Sequence, residues 1–407
     1  MTPAQQASAP PDLWSELVGQ AKAVAVLKRA VAGDAHAMTH AWLVTGPPGS
    51  GRSNAARAFA AALQCPRGGC GQCNECRTSL SGAHPDVTLV RTEKLSIGVD
   101  EVRELVRRAA MSPTMGRHQV IVVEDADRVT DRGGDALLKA IEEPAPKTVW
   151  ILCAPTADDV VVTIRSRCRK LALSTPSDAA VAELLQWRDG VDPALAAHAA
   201  RAAQGHIGRA RALARNEEAR NRRHEVLLIP GRLTSTGACL TAADNLVKAA
   251  AEEATKATAE TDAKERAELE EALGFGTKGA RPRNANAALK ELEEQQKARA
   301  KRIQRDALDR VLTELTTFYR DVLALQTRAI QPPSSAQELH PGVPADGGAH
   351  LINGQLRPQL ERAARGSTPE RTLRHIDAII ACREALETNV APLLAMEALL
   401  LNLAENG

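Results

Sequence analysis

Four cysteines stand at Cys65, Cys70, Cys73 and Cys76, giving the spacing C-x4-C-x2-C-x2-C. Thiolates two residues apart close on one ion from a single turn, and four of them complete a tetrahedral zinc shell with no open position. The chemistry expected there is structural. A redox pair or an iron–sulfur cluster are the alternatives that this spacing leaves open. A second constellation follows the apolar run Ala41-Trp42-Leu43-Val44: Gly46-Pro47-Pro48-Gly49-Ser50-Gly51-Arg52-Ser53 has the outline of a phosphate-binding loop, G-x-x-x-x-G-K-[ST], with Arg52 in place of lysine. A third is Glu124-Asp125-Ala126-Asp127, at the end of the apolar run Val120-Ile121-Val122-Val123. Carboxylates at the C-terminal end of a strand beside a phosphate loop are where magnesium and an attacking water are held. An acidic helix start would explain one carboxylate but not three.

The elements that must position these groups alternate. Apolar runs at Ala41–Val44, Val87–Val90, Val120–Val123 and Val149–Cys153 are separated by helix-like segments at Ala55–Leu63, Val99–Ala110 and Ala136–Ile141, and a last strand is expected at Lys170–Leu173. That βαβ pattern implies a parallel sheet covered by helices on both faces. Val99, Val102, Leu105, Val106 and Ala109 recur at helical spacing, with Asp100, Glu101 and Glu104 favouring the helix start by charge. After Thr175-Pro176 the pattern is helical throughout, which places a nucleotide-binding domain at 1–175, with the cysteine module at 65–76 inside it. A small helical domain is expected at 176–222 and a larger helical one at 223–407.

From about 249 to 310 the chain is mostly Ala, Glu, Lys and Arg, broken by GFGTKGARPRN at Gly274–Asn284. Such composition suits two exposed helices forming a hairpin, with disorder as the alternative. A second loop is expected at Pro332–Gly348, then amphipathic helices near Leu373–Leu386 and Pro392–Leu403.

The bulk numbers exclude several classes. With 407 residues the chain has length for two or three domains. Its net charge of +2 carries no global basic excess demanding nucleic acid, and 2% aromatics is too few for a base-stacking platform. The start, MTPAQQASAPPDLW, has neither a basic region nor an apolar core, and Val390–Ala404 is interrupted by Pro392, Glu397 and Asn402 and is too short to span a bilayer. The expectation is a soluble cytoplasmic protein with no membrane partner, whose eight cysteines serve metal binding or packing rather than disulfides.

The order GPPGSGRS, VVEDAD, LLKAIEEP (Leu137–Pro144), Arg165-Ser166-Arg167-Cys168 and Gly205-His206-Ile207-Gly208-Arg209-Ala210 resembles the clamp-loader branch of the AAA+ ATPases. The resemblance covers about the first 215 residues; Asn389–Glu397 also looks like the end of that family's helical collar domain, a weaker match. The fold it implies is an α/β AAA+ P-loop domain with an inserted zinc module, a small helical lid and a C-terminal helical collar. It further implies that Gly46, Pro47, Pro48, Gly49, Ser50, Gly51, Arg52 and Ser53 cradle the phosphates of ATP or ADP, with Ser53 on Mg2+ beside Glu124 and Asp125. Val18, with Gly19 and Gln20, would lie near the adenine, and Arg209 would sense the γ-phosphate. Arg167 would be an arginine finger acting in trans on a neighbouring subunit's ATP. The partners implied are other clamp-loader subunits (ATPase motors and a delta-like subunit) in a hetero-oligomer, the sliding clamp, and primer-template DNA reached through the complex.

Two departures bear on activity. Members that hydrolyse ATP have lysine at the position of Arg52 and an Asp-Glu order where this chain has Glu124-Asp125. Guanidinium is a larger planar fork than ammonium, and exchanging the carboxylates moves each reacting group by a methylene. A displacement of about 1 Å costs on the order of a hundredfold in rate, so weak or absent hydrolysis in this site is expected. The alternative is an ATP-hydrolysing motor subunit of the same loader that tolerates Arg52.

Overall fold

The computed structural model describes residues 13–34, 36–92, 96–273, 285–329, 351–388 and 390–404. They fall into two compact units, 1–216 and 217–407. The first unit carries, in chain order, α1 (Ala21–Ala32), β1 (Ala41–Thr45), α2 (Arg52–Gln64), α3 (Asn74–Ser81), β2 (Val87–Val90), α4 (Val99–Ala109), β3 (Gln119–Val123), α5 (Asp131–Glu142), β4 (Thr148–Ala154), α6 (Val162–Arg165) and β5 (Arg169–Ala172). It ends in three helices, α7 (Asp178–Asp189), α8 (Pro193–Ala203) and α9 (Ile207–Arg215).

All five strands are parallel, in the order β2-β3-β4-β1-β5. Every residue of β1, β3 and β4 is buried, as sheets covered on both sides require. The alternation of side chains decides which helices cover which face. Trp42, Val44, Val120, Val122, Val149 and Ile151 pack with Leu27 of α1 and Phe59 of α2. Leu43, Ile121, Val123, Trp150 and Leu152 pack with α4, α5 and α6 on the other side. The glycine-rich loop therefore leaves the C-terminal edge of a central strand, where open α/β sheets bind ligands.

The three closing helices are locally specified. Ser177 caps α7 by accepting from Ala180 N, and Asp192 caps α8, whose first residue is Pro193, by accepting from Ala194 N and Leu195 N. Asp189, at the end of α7, takes a bidentate pair from Arg211 of α9, both bonds 2.8 Å. This pair fixes α9, and with it His206 and Arg209, relative to the rest of the bundle.

Among the described residues the second unit is all helical: α10 (Glu217–Leu228), α11 (Thr236–Ala272), α12 (Ala285–Gln326), α13 (Arg357–Gly366), α14 (Pro369–Glu387) and α15 (Pro392–Ala404). Its core joins α12 residues Leu308, Leu312, Leu315 and Phe318 to Ile379 of α14 and Met396 and Leu400 of α15. The described residues of the charged stretch 249–310 are helical and lie in α11 and α12, which begin earlier and end later in the apolar core. The two pair antiparallel: Arg299 bonds Asp262 at 2.8 Å and Glu265 at 2.7 Å, and Arg266 reaches Glu293 at 3.4 Å. Long helices of Ala, Glu, Lys and Arg form because those residues lose little entropy in a helix. The expected loops Gly274–Asn284 and Pro332–Gly348, and Asn389 of the collar-like segment, lie outside the described residues. Among the described residues no helix is long and apolar enough to cross a membrane.

Candidate nucleotide site and metal centre

The loop Gly46–Gly51 joins β1 to α2, so it lies at the positive end of α2. Two features fix it. Gln20, 3% exposed, donates from Nε2 to Ser174 O at 2.7 Å and accepts from Ser174 N at 3.1 Å, with Ser50 O 3.5 Å from the same Nε2. The Val18-Gly19-Gln20 segment thus ties the loop to the chain leaving β5. At Gly49, φ is +80° and a Cβ would lie 2.1 Å from His206 Cγ and 2.6 Å from His206 Cα. Ile207 N donates to Gly49 O at 3.3 Å. Only glycine admits that approach, which seats the start of α9 on the loop.

His206 is the N-cap of α9, its Nδ1 accepting from Arg209 N at 3.2 Å. Burial, then the positive charges of Arg209 and Arg52, hold its pKa below the usual imidazole value. The ring is therefore neutral at pH 7, which the capping bond requires. Ser50 Oγ is buried with no hydrogen-bond partner, an orphaned group inside the loop of the kind a ligand or water satisfies.

The residues that set this loop apart are engaged within the chain. The Arg52 guanidinium donates to Gly46 O, back into the loop it starts from, and burial lowers its pKa. Glu124, its side chain 6% exposed at the end of β3, accepts from Arg57 Nε at 2.6 Å. Ser53 lies one turn before Arg57 on α2 and is partly buried. Arg167, beyond α6, is 40% exposed; its Nη1 donates to Thr163 O at 2.8 Å and its Nη2 pairs with Glu142 of α5. The structure thus brings Gly46–Ser53, Glu124, Gln20 and His206 around one loop. Sequence reasoning did not single out Arg57, Glu142 or His206 as partners; the signal for Arg57 was its spacing of four from Ser53.

The cysteine module runs from Cys65 at the end of α2 to Cys73, the N-cap of α3, and Cys76 in its first turn. The Sγ atoms of Cys65, Cys70, Cys73 and Cys76 all lie within 4.8 Å of one another, with Cys65 3.7 Å from both Cys70 and Cys73. A tetrahedron of thiolates at about 2.3 Å from zinc has edges of about 3.8 Å, so the set fits zinc. Backbone N–H groups of Arg67 and Cys70 point at Cys65 Sγ, that of Cys73 at Cys70 Sγ and that of Cys76 at Cys73 Sγ, each at 3.4 Å. Donors of this kind, from Gln72 and Cys73, pull the Cys70 thiol down to about 6. All four are free cysteines, so no disulfide competes. Burial instead pushes Cys153 and Cys168 up to about 12, which leaves them as packing thiols near neutral pH.

A parallel sheet with a glycine-rich loop between β1 and α2, and carboxylates ending β3, has the outline of a P-loop α/β domain. Residues 19–177 match the family model described as DNA polymerase III, delta subunit. Subunit delta' of DNA polymerase III from Pseudomonas aeruginosa is 35% identical over 179 residues, covering 42% of this chain and 50% of that protein. Subunit delta' from Bacillus subtilis is 30% identical over 193 residues, covering 47% and 58%. Subunit gamma/tau from Mycobacterium tuberculosis is 38% identical over 162 residues, covering 39% and 28%. The matched segment spans about half the length of the two delta' relatives. Within that segment the chain is similar to the delta-prime subunits of DNA polymerase III.

Proposed function

We propose that the protein is a delta-prime-like subunit of the replicative DNA polymerase III clamp loader. It assembles with ATPase motor subunits and a delta-like subunit, and helps load the sliding clamp onto primer-template DNA. In this reading residues 176–222 serve as the lid and 223–407 as the collar of the AAA+ arrangement. Its own site hydrolyses ATP weakly or not at all, while Arg167 supplies the arginine finger to a neighbour's ATP. The carrying observation is a difference in exposure within one chain: Arg52 is held by Gly46 O and Glu124 is a buried carboxylate held by Arg57, whereas the Arg167 side chain, though paired with Glu142 and Thr163 O, is 40% exposed at the surface. An arginine finger contributes on the order of a thousandfold or more in rate, so a subunit can keep that group useful after its own chemistry has decayed.

The second reading, an ATP-hydrolysing motor subunit, is favoured by the 38% identity to gamma/tau. One experiment separates the two. The complex is reconstituted with wild type or Arg167→Ala, and the isolated subunit is assayed for steady-state turnover. The proposal expects no robust turnover alone and a large fall in complex ATPase for the variant. Robust turnover alone favours the motor, and unchanged complex ATPase removes the finger.

The cysteine module holds Zn2+ in this reading through Cys65, Cys70, Cys73 and Cys76, as a closed structural site. ATP or ADP would be held by the backbone N–H groups of Gly49, Gly51, Arg52 and Ser53, since Pro47 and Pro48 have none, by the Arg52 guanidinium once it leaves Gly46 O, and, from the start of α9, by Arg209.

A further inference from the structure

Arg57 is not among the residues by which the loop was recognised, yet it occupies the acidic side of the site. Ser53 and Arg57 are four residues apart on α2, so they share one helix face, and a long helical side chain leans back over the preceding turn. That direction carries the Arg57 head towards the start of α2. The carboxylate it meets is Glu124, the group that a metal-dependent site of this outline offers to its cation. The bond is 2.6 Å and the Glu124 side chain is 6% exposed. Glutamate is one methylene longer than aspartate, which is the reach this contact uses.

A magnesium ion shared between Ser53 and residue 124 must take a carboxylate whose Oε1 already accepts from Arg57. It also tolerates only near-octahedral oxygen geometry at about 2.0–2.1 Å. To bind there it must displace a guanidinium from a buried carboxylate, or take the other oxygen and sit directly beside that cation. Arg52, folded onto Gly46 O, already places a second positive charge within the loop. The residues present therefore do not fit the divalent ion as they stand, although the loop itself retains a phosphate cradle with an orphaned Ser50 hydroxyl.

We infer that Arg57 stands in for the divalent cation, so that the loop takes a nucleoside di- or triphosphate as the metal-free anion. This rests on the reading of Gly46–Ser53 as a nucleotide site and names the form of ligand that the site accepts. It also gives a physical cause for poor hydrolysis that is separate from Arg52: without a metal, charge on the transferring phosphoryl group lacks its main neutraliser.

The test is ATP titration of the full chain by calorimetry, once with excess EDTA and once with Mg2+, together with Mn2+ electron paramagnetic resonance in the presence of ADP. The expected result is an ATP dissociation constant equal within about threefold in the two conditions, and no protein-dependent Mn2+ signal. In Arg57→Ala, checked for folding by circular dichroism, binding weakens in EDTA and Mg2+ restores about tenfold or more. A wild-type affinity that rises about tenfold with Mg2+, or a bound Mn2+ signal, overturns the inference and leaves the nucleotide site standing. No ATP binding in either condition overturns both. The wild-type arms decide the matter even if the variant fails to fold.

Discussion

Replacing Gly49 with alanine tests the contact between the phosphate loop and α9. At Gly49 the backbone lies at φ +80°, where an L-residue costs about 1–2 kcal/mol. The new methyl would stand 2.1 Å from His206 Cγ and 2.5 Å from Nδ1, and also 2.6 Å from His206 Cα. Overpacking of this kind costs about 1–3 kcal/mol, giving a total of about 2–5 kcal/mol. For a unit spanning 1–216, about 2–4 °C of melting temperature is lost per kcal/mol, so a fall of roughly 4–20 °C is expected by calorimetry. Removing the imidazole does not restore the space, because the Cα remains. In a His206→Ala background, which itself loses a cap worth about 1 kcal/mol, Gly49→Ala still costs more than about 1 kcal/mol. If the chain relieves the clash by lifting α9, hydrogen exchange at Ile207 N, the donor to Gly49 O, accelerates instead. A Gly49→Ala protein with wild-type melting and unchanged Ile207 exchange would refute the reasoning.

Three further outcomes are expected. Wild type contains one zinc per chain by elemental analysis, and Cys73→Ser loses the metal and melts at lower temperature, since binding energy at such a site is folding energy; metal-free wild type with unchanged melting would count against a structural ion. His375, 5% exposed, packs on Tyr319 at 4.8 Å between ring centroids, with both ring nitrogens lacking a hydrogen-bond partner. Burial, then Arg371 and Arg374, push its pKa down to about 4, so the unfolded chain binds the proton first and stability falls as pH drops below about 6.5. The second unit should lose about 2 kcal/mol between pH 7 and pH 5, a loss that His375→Leu flattens in urea titrations at the two pH values. Finally, Glu142→Gln frees Arg167 from a half-exposed ion pair worth about 0.2–1 kcal/mol, so complex ATPase at limiting subunit should rise by up to about fivefold; a fall would mean that Glu142 aids the finger.

Much of the first unit was legible because its strands are buried on both sides and read as unbroken apolar runs. Val120–Val123 became Gln119–Val123, Val149–Cys153 became Thr148–Ala154, and the helix expected at Val99–Ala110 ends at Ala109. The last strand shifted by one residue, to Arg169–Ala172, since an edge strand is specified on fewer sides. The short helix α6 and the zinc-side helix α3 were not foreseen, as four and eight residues carry too little periodicity to register. In the second unit, charge composition marked 249–310 as distinct, but the helices there run on through Leu308 to Val322 into the core. Composition follows solvent exposure, which changes along one helix without ending it.

By itself the sequence determined whatever is local in the chain. The four cysteines fall within twelve positions, the loop glycines within six, and the carboxylates in one run at a strand's end. Their chemistry follows from spacing, because the backbone has few ways to join neighbours. The partner each charged group takes was decided only by the tertiary structure. Arg57 meets Glu124 across 67 residues, Gln20 meets Ser174 across 154, and His206 closes on Gly49. Those pairings depend on strand order and on helix faces: β4 alone separates β1 from β3, so α2, which follows the loop, reaches carboxylates encoded far along the chain.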